Sequence, residues 1–244
     1  MAAVDSAARG RRSAGRRLLL VSVGVAAVIL AAVAFGLWGP AAGKTAAQVA
    51  AGSHTPATAS SGSTPGAVTV LPAPSSVSSG VPVGYPDTAL GAVSAAAHYT
   101  EARDLLSPGL VVGQLKVMAD PAPEQLGTLA NRGITDAMTL RNSLGLDVGG
   151  TSDQADYITV QARAFHIDQS TPQQAEVWLL TWRTTVVAGV QTEQAAYTVP
   201  VALTWTGGDW KLDDRTLGAS PSPATPDTPQ ALADGWTPLA YSNS

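Results

Sequence analysis

Residues 195 to 213 read AAYTVPVALTWTGGDWKLD, and this stretch decides the fold class. Tyr197, Val199, Val201, Leu203 and Trp205 fall on one side of an extended chain, and Thr198, Pro200, Ala202 and Thr204 fall on the other. A period of two marks a strand in a sheet with one face covered. Gly207-Gly208 then supplies the backbone freedom of a tight hairpin, so that DWKLD returns antiparallel and delivers Trp210 and Leu212 to the apolar side. Pro200 has no amide hydrogen to donate, which implies either a sheet edge or a bulge; a bulge would bend the sheet into a cone.

Working outward, YITVQARAF (157–165) and AEVWLLTWRTTVV (175–187) have the same β-branched and aromatic enrichment and are separated by turn residues. With 195–205 and 209–213 they predict about four consecutive antiparallel strands. Upstream the period changes to that of helices. Pro86-Asp87-Thr88 supplies turn and cap chemistry ahead of ALGAVSAAAHYTEARDLL, where Leu90, Val93 and Ala97 recur at helical spacing and Pro108-Gly109 is expected to stop the helix. Ala92, Ala95 and Ala96 would let that helix lie close in the hollow of a curved sheet. A second helix is expected from Pro121 or Pro123, with Leu126, Leu129, Ala130, Ile134, Ala137 and Met138 on one stripe and a break or kink at Gly133. The fold class predicted is α+β, helices on a curved antiparallel sheet that makes a cone-like roll.

The N-terminal third has a different character. Residues 18–38, LLLVSVGVAAVILAAVAFGLW, are uncharged and apolar, and residues 1–17 carry Arg9, Arg11, Arg12, Arg16 and Arg17 against Asp5. A run of about 20 apolar residues matches a bilayer as a helix, and the flanking arginines favour the cytoplasmic side. The alternative is a cleaved secretory signal, whose apolar core usually has about 7–15 residues. The expectation is therefore a cytoplasmic basic leader (1–17), a single transmembrane helix (18–38) and an extracytoplasmic remainder. Residues 39–80, rich in Ala, Ser, Thr, Pro and Gly, read as a disordered stalk. Residues 81–217 read as the folded domain, and 218–244 as a flexible tail whose Trp236, Leu239 and Tyr241 either dock back or form an exposed recognition peptide.

Charge and composition exclude several function classes. Without the leader, nine basic side chains stand against seventeen acidic ones, the wrong sign for a nucleic-acid surface, and Arg163, Arg183 and Lys211 are spread among strands. The absence of Cys excludes thiol chemistry, disulfides, Cys-ligated zinc and a lipoprotein anchor.

The order of helices and strands, closing in the hairpin TWTGGDWKLD (204–213), resembles the nuclear-transport-factor-like α+β roll, also called cystatin-like. With the basic leader, one membrane helix and a Ser/Thr/Pro stalk, the layout is similar to inner-membrane, single-pass components of actinobacterial conjugation and type IV secretion systems. Mce-associated membrane proteins share it. VPVGYPDTALGAVSAAAHY (81–99) also looks like the start of such secreted domains. The resemblance implies a non-enzymatic assembly subunit, with protein partners of an envelope complex or further copies of itself, and carries no catalytic residues.

The search for chemistry finds little. His54, His98 and His166 have no metal-ligand spacing, and no calcium loop is present. Ser152 in GGTSDQAD leads into a strand instead of the helix a nucleophile elbow needs, and its glycines lack the Lys of a phosphate cradle. One enzymatic arrangement deserves a test: His98 with Asp156, Asp168 or His166 as acid and base in a conical pocket. Trp178, Trp182, Trp205 and Trp210 are either core, or the lining of a pocket or interface. No cofactor and no metal site is expected.

Overall fold

The computed structural model describes residues 67–119, 121–146 and 155–242, all within the compact unit Ala50–Ser244. Three short strands, β1 (Thr69–Leu71), β2 (Ser76–Ser78) and β3 (Val81–Val83), precede three helices, α1 (Ala89–Ala102), α2 (Pro108–Met118) and α3 (Pro123–Ser143). Four strands follow, β4 (Tyr157–Ser170), β5 (Gln174–Val187), β6 (Val190–Thr206) and β7 (Asp209–Leu212), and the chain ends in α4 (Pro229–Ala233) and β8 (Thr237–Tyr241).

The fold is α+β with a strongly curled sheet, as expected, but the sheet has six strands and is mixed. The order is β1-β8-β4-β5-β6-β7, with β1 parallel to β8 and the other neighbours antiparallel; β2 and β3 form a separate hairpin. The two extra strands come from segments whose composition reads as stalk and tail. Folded structure thus extends beyond 81–217 on both sides, and the segment 218–244 is not a free tail over its described length. Its aromatics dock: Trp236 is 2% exposed, and Leu239 and Tyr241 pack on the core.

The curl has identifiable causes. Register shifts interrupt the β4–β5 ladder at Ala162/Ala164 and Ile167/Gln169, and the β5–β6 ladder at Thr185/Val186. Such bulges increase local twist and bend the bulged strand. Pro200 is not one of them. It sits opposite Trp178 in unbroken register. Trp205 N donates to Gln173 O and Asp213 N donates to Ala202 O, so even-numbered residues here face away from β5. On that side β7 pairs only from Leu203 to Thr206, leaving position 200 at an edge that asks for no donor.

The inner face of the sheet is covered by α1. Ala92, Val93, Ala95, Ala96 and Ala97 are each fully buried, packed with Val177, Leu179, Leu203 and Trp210. Small side chains allow the close approach, and Thr88 caps the helix by accepting from Gly91 N at 3.0 Å. Leu90 lies outside this face at 39% exposure. Pro108-Gly109 does not end a helix but begins α2, since proline at the first helical position lacks only a hydrogen that has no intrahelical partner there. Gly133 does not break α3 either. A Cβ there would stand 2.6 Å from Val111 Cγ1, so glycine is where α2 and α3 press together around Val111, Leu115 and Ala137.

Among the described residues no helix is long and apolar enough to cross a membrane. The leader 1–17, the span 18–38, His54 and most of the stalk lie outside the described residues.

Candidate functional site

The hairpin singled out by sequence folds into a buried latch. Gly207 and Gly208 take φ of 61° and 82°, the left-handed backbone of a two-residue turn, and set Trp205 directly opposite Trp210. Their ring centroids lie 5.4 Å apart at 66°. Trp210 is 1% exposed and donates from Nε1 to Pro86 O at 3.0 Å; Trp205 is half-buried. Asp209, buried beside it, accepts at Oδ1 from Tyr85 N (3.0 Å) and Trp210 N (2.9 Å), and at Oδ2 from Lys211 Nζ (3.0 Å) and Tyr99 Oη (3.4 Å). Lys211 Nζ also donates to Val117 O, tying the end of α2 to the hairpin. Tyr99 Oη shares its hydrogen between Asp209 Oδ2 and Trp210 O (2.9 Å), and Lys211 Nζ has two acceptors, so the charges drawn out of water are met by hydrogen-bond partners. Burial, reinforced by Asp209, raises the phenols of Tyr85 and Tyr99 above their ordinary range. Nothing in the local pattern D-W-K-L-D distinguishes this buried aspartate from an exposed turn residue.

Trp178 and Trp182 are on the opposite, outer face of the sheet. Trp178 packs with Leu180 and Ala164 beneath Ala231 and Trp236 of the C-terminal segment, while Trp182 is half-buried farther along β5. Trp178 Nε1 is enclosed with no hydrogen-bond partner, whereas Trp236 Nε1 donates to Ser222 O at 3.2 Å.

The proposed acid–base residues are engaged separately. His98, on α1, shares its Nδ1 hydrogen with Ser94 O (2.8 Å) and Ser94 Oγ (3.3 Å), and its ring lies between Tyr85 and Tyr241. His166 faces Gly235 O and Trp236 on the outer side. Asp156 Oδ1 accepts from Ala188 N at 2.7 Å in the turn beyond β5, and Asp168 Oδ2 lies beside Gly218. No bond joins His98 to Asp156, Asp168 or His166. Its link to an acidic group is indirect: Tyr241, whose ring is tilted at 56° against His98, donates to Glu101 Oε1 at 2.5 Å, and the same oxygen accepts from Ala162 N. Burial and this bond raise the Tyr241 phenol as well. Sequence offered no signal for this pair, since its partners are separated by 140 positions.

Pockets open at the margins of the roll. One of about 190 Å³ is lined by Leu71, Pro72, Pro74, Val77, His98 and Tyr241; another of about 60 Å³ lies between Asp104 and Tyr157. Among the described residues no three His, Asp or Glu side chains gather as metal ligands.

The two edges of the sheet differ. The β7 edge is closed by an isolated bridge from Ala119 to Leu212 and by the charges of Asp209, Lys211 and Asp213. The β1 edge carries Val68 and Val70, 57% and 59% exposed, and among the described residues no strand pairs with it beyond β8. No protein-family model matches the chain, and no curated protein or solved structure is significantly similar to it.

Proposed function

We propose that this chain is a non-enzymatic, membrane-anchored assembly subunit whose exported roll acts through protein–protein contacts, in conjugative transfer or secretion. The observation that carries the reading is the filled cone. The alanines of α1 are buried in one cluster with Leu179, Leu203 and Trp210, which supports a packed interior and recognition on the outside of the domain. The apolar run 18–38 and its arginine flank support the anchor, and the exposed edge valines support a contact surface. In-cell crosslinking of the full chain, followed by identification of trapped proteins, tests it: envelope-transport proteins are the expected catch, and an untrapped chain refutes the reading. A reporter active only outside the cytoplasm should work when fused after residue 242 and fail when fused within residues 1–17.

A second reading, an extracytoplasmic module for a small apolar molecule, is favoured by the pocket at His98. Because Nδ1 holds its hydrogen on a carbonyl, neutral His98 keeps Nε2 as an acceptor for a ligand donor. Fluorescence titration with apolar amines and alcohols tests it, and saturable binding lost in His98→Ala would favour it over the assembly reading.

A further inference from the structure

We propose that residues 218–235 are a hinged strap that swings off the outer face of the sheet as a unit while the rest of the roll stays folded. The proposal deepens the assembly reading, on which it rests for its use, by giving the domain a face that is covered at rest and bared on opening.

The strap crosses the sheet without joining it. Asp213 N donates to Ala202 O, and Thr237 pairs with Phe165; between these points, among the described residues, no backbone–backbone bond ties the chain to a strand. Side chains do the fastening. Arg163 on β4 grips Asp227 at both oxygens (Nε to Oδ2 3.1 Å, Nη2 to Oδ1 3.1 Å), Trp236 Nε1 donates to Ser222 O at 3.2 Å, and His166 Nδ1 meets Gly235 O at 3.4 Å. The ion pair is open to water on both sides, where such pairs contribute little. The apolar seal is slight as well. Within 218–235 only Ala224 and Ala231 join Trp178, Leu180 and Ala164; Leu217 and Trp236 lie just outside the moving span.

Two features of the closed state favour release. Trp178 is 7% exposed and its Nε1 hydrogen is enclosed without an acceptor, a cost that water removes once the strap lifts. Asp227, which carries the ion pair, is held at φ 64°, in the left-handed region that disfavours a side chain. The sequence also sets what moves. Pro221, Pro223, Pro226 and Pro229 stiffen the span, while Gly218 and Gly235 at its ends supply backbone freedom, Gly235 already at φ 86°. A stiff segment between two compliant ends turns as a body instead of melting residue by residue. Its departure leaves Trp178 and Leu180 in line with the half-buried Trp182 on the same face of β5.

Indole hydrogen exchange, followed by NMR on the full chain, reads the opening directly. The Trp178 Nε1 signal, assigned by its loss in Trp178→Phe, should exchange about tenfold or more faster than that of Trp210, and should depend less steeply on urea, because opening exposes far less surface than global unfolding. Ala231→Asp places a charge in the seal; it should raise the Trp178 rate by a further tenfold, roughly, and leave Trp210 protected. Equal rates and equal urea slopes for the two indoles overturn the proposal. So does an Ala231→Asp chain that fails to fold or loses protection at both indoles together, since the strap is then part of the core. A Trp178 rate unmoved by Ala231→Asp overturns it as well, because exchange then reaches the ring by another route. Exchange is measured on the free chain, so a strap that opens in a chain trapping no partner counts against the assembly reading alone, and a rigid strap in a chain that does trap partners counts against this proposal alone.

Discussion

The inner and outer faces of the sheet are covered by opposite means. The inner face receives α1, a regular helix of small side chains backed by a polar network at Asp209, Tyr99 and Lys211. The outer face receives a Pro-, Ser- and Thr-rich strap, residues 217–236, that contributes Leu217, Ala224, Ala231 and Trp236 over Trp178 and Leu180. One cover is specified by periodicity and satisfied bonds. The other is a few apolar anchors on an irregular chain, with an unpartnered indole nitrogen at its centre. Stability should therefore concentrate on the inner face.

The largest effect is expected from Trp210→Ala, a loss of about 3–5 kcal/mol by chemical denaturation, because the ring is fully enclosed and its nitrogen holds Pro86. A loss below about 1 kcal/mol would break the comparison. Trp236→Ala should cost less, about 2–3 kcal/mol, since the strap can settle into the space the ring leaves. The buried phenols of Tyr85, Tyr99 and Tyr241 sharpen the comparison through pH. Their folded pKa values lie above the ordinary 10.0, so neutral tyrosine is favoured in the fold. The stabilisation is complete below pH 10.0 and is lost as the unfolded chain ionises above it, by up to about 1.4 kcal/mol per pH unit for each phenol. Denaturation midpoints should hold from pH 7 to about 9.5 and fall beyond; replacing Tyr241 with Phe should flatten the fall. Trp178→Phe should change stability by less than about 1 kcal/mol, because it removes an enclosed donor that has no acceptor. Smallest of all, His98→Ala, His166→Ala and Asp168→Ala should each leave biological activity within a few-fold in folded protein, where loss of a general acid or base would cost about 10²–10⁴.

The same contrast explains what sequence could reveal. The long strands β4 to β7 and the Gly207-Gly208 hairpin follow from local alternation and turn chemistry, and the close seat of α1 from its alanines. β1 and β8 were hidden because Thr-Val-Leu and Thr-Pro-Leu-Ala-Tyr lie in low-complexity surroundings and acquire meaning only by pairing, β1 with β8 (Thr69 with Leu239) and β8 with β4 (Thr237 with Phe165). Helix α2 was obscured because proline and glycine at 108 and 109 serve a helix start as well as a stop. The placement of the tryptophans was half legible: the spacing of Trp178 and Leu180 puts them on one face, but only the strap decides that this face is covered. The Asp209 latch depends on Tyr85, Tyr99 and Val117, none of them near it in sequence.

The parallel pairing of β1 with β8 gives the domain a mechanical axis. Tension entering at the N-terminal end of β1 and leaving at the C-terminal end of β8 pulls two parallel neighbours in opposite directions. The rungs from Thr69–Leu239 to Leu71–Tyr241 are then loaded together, in shear, instead of being unzipped one at a time. A chain hauled from its leading end while its trailing end is gripped resists with the whole ladder at once.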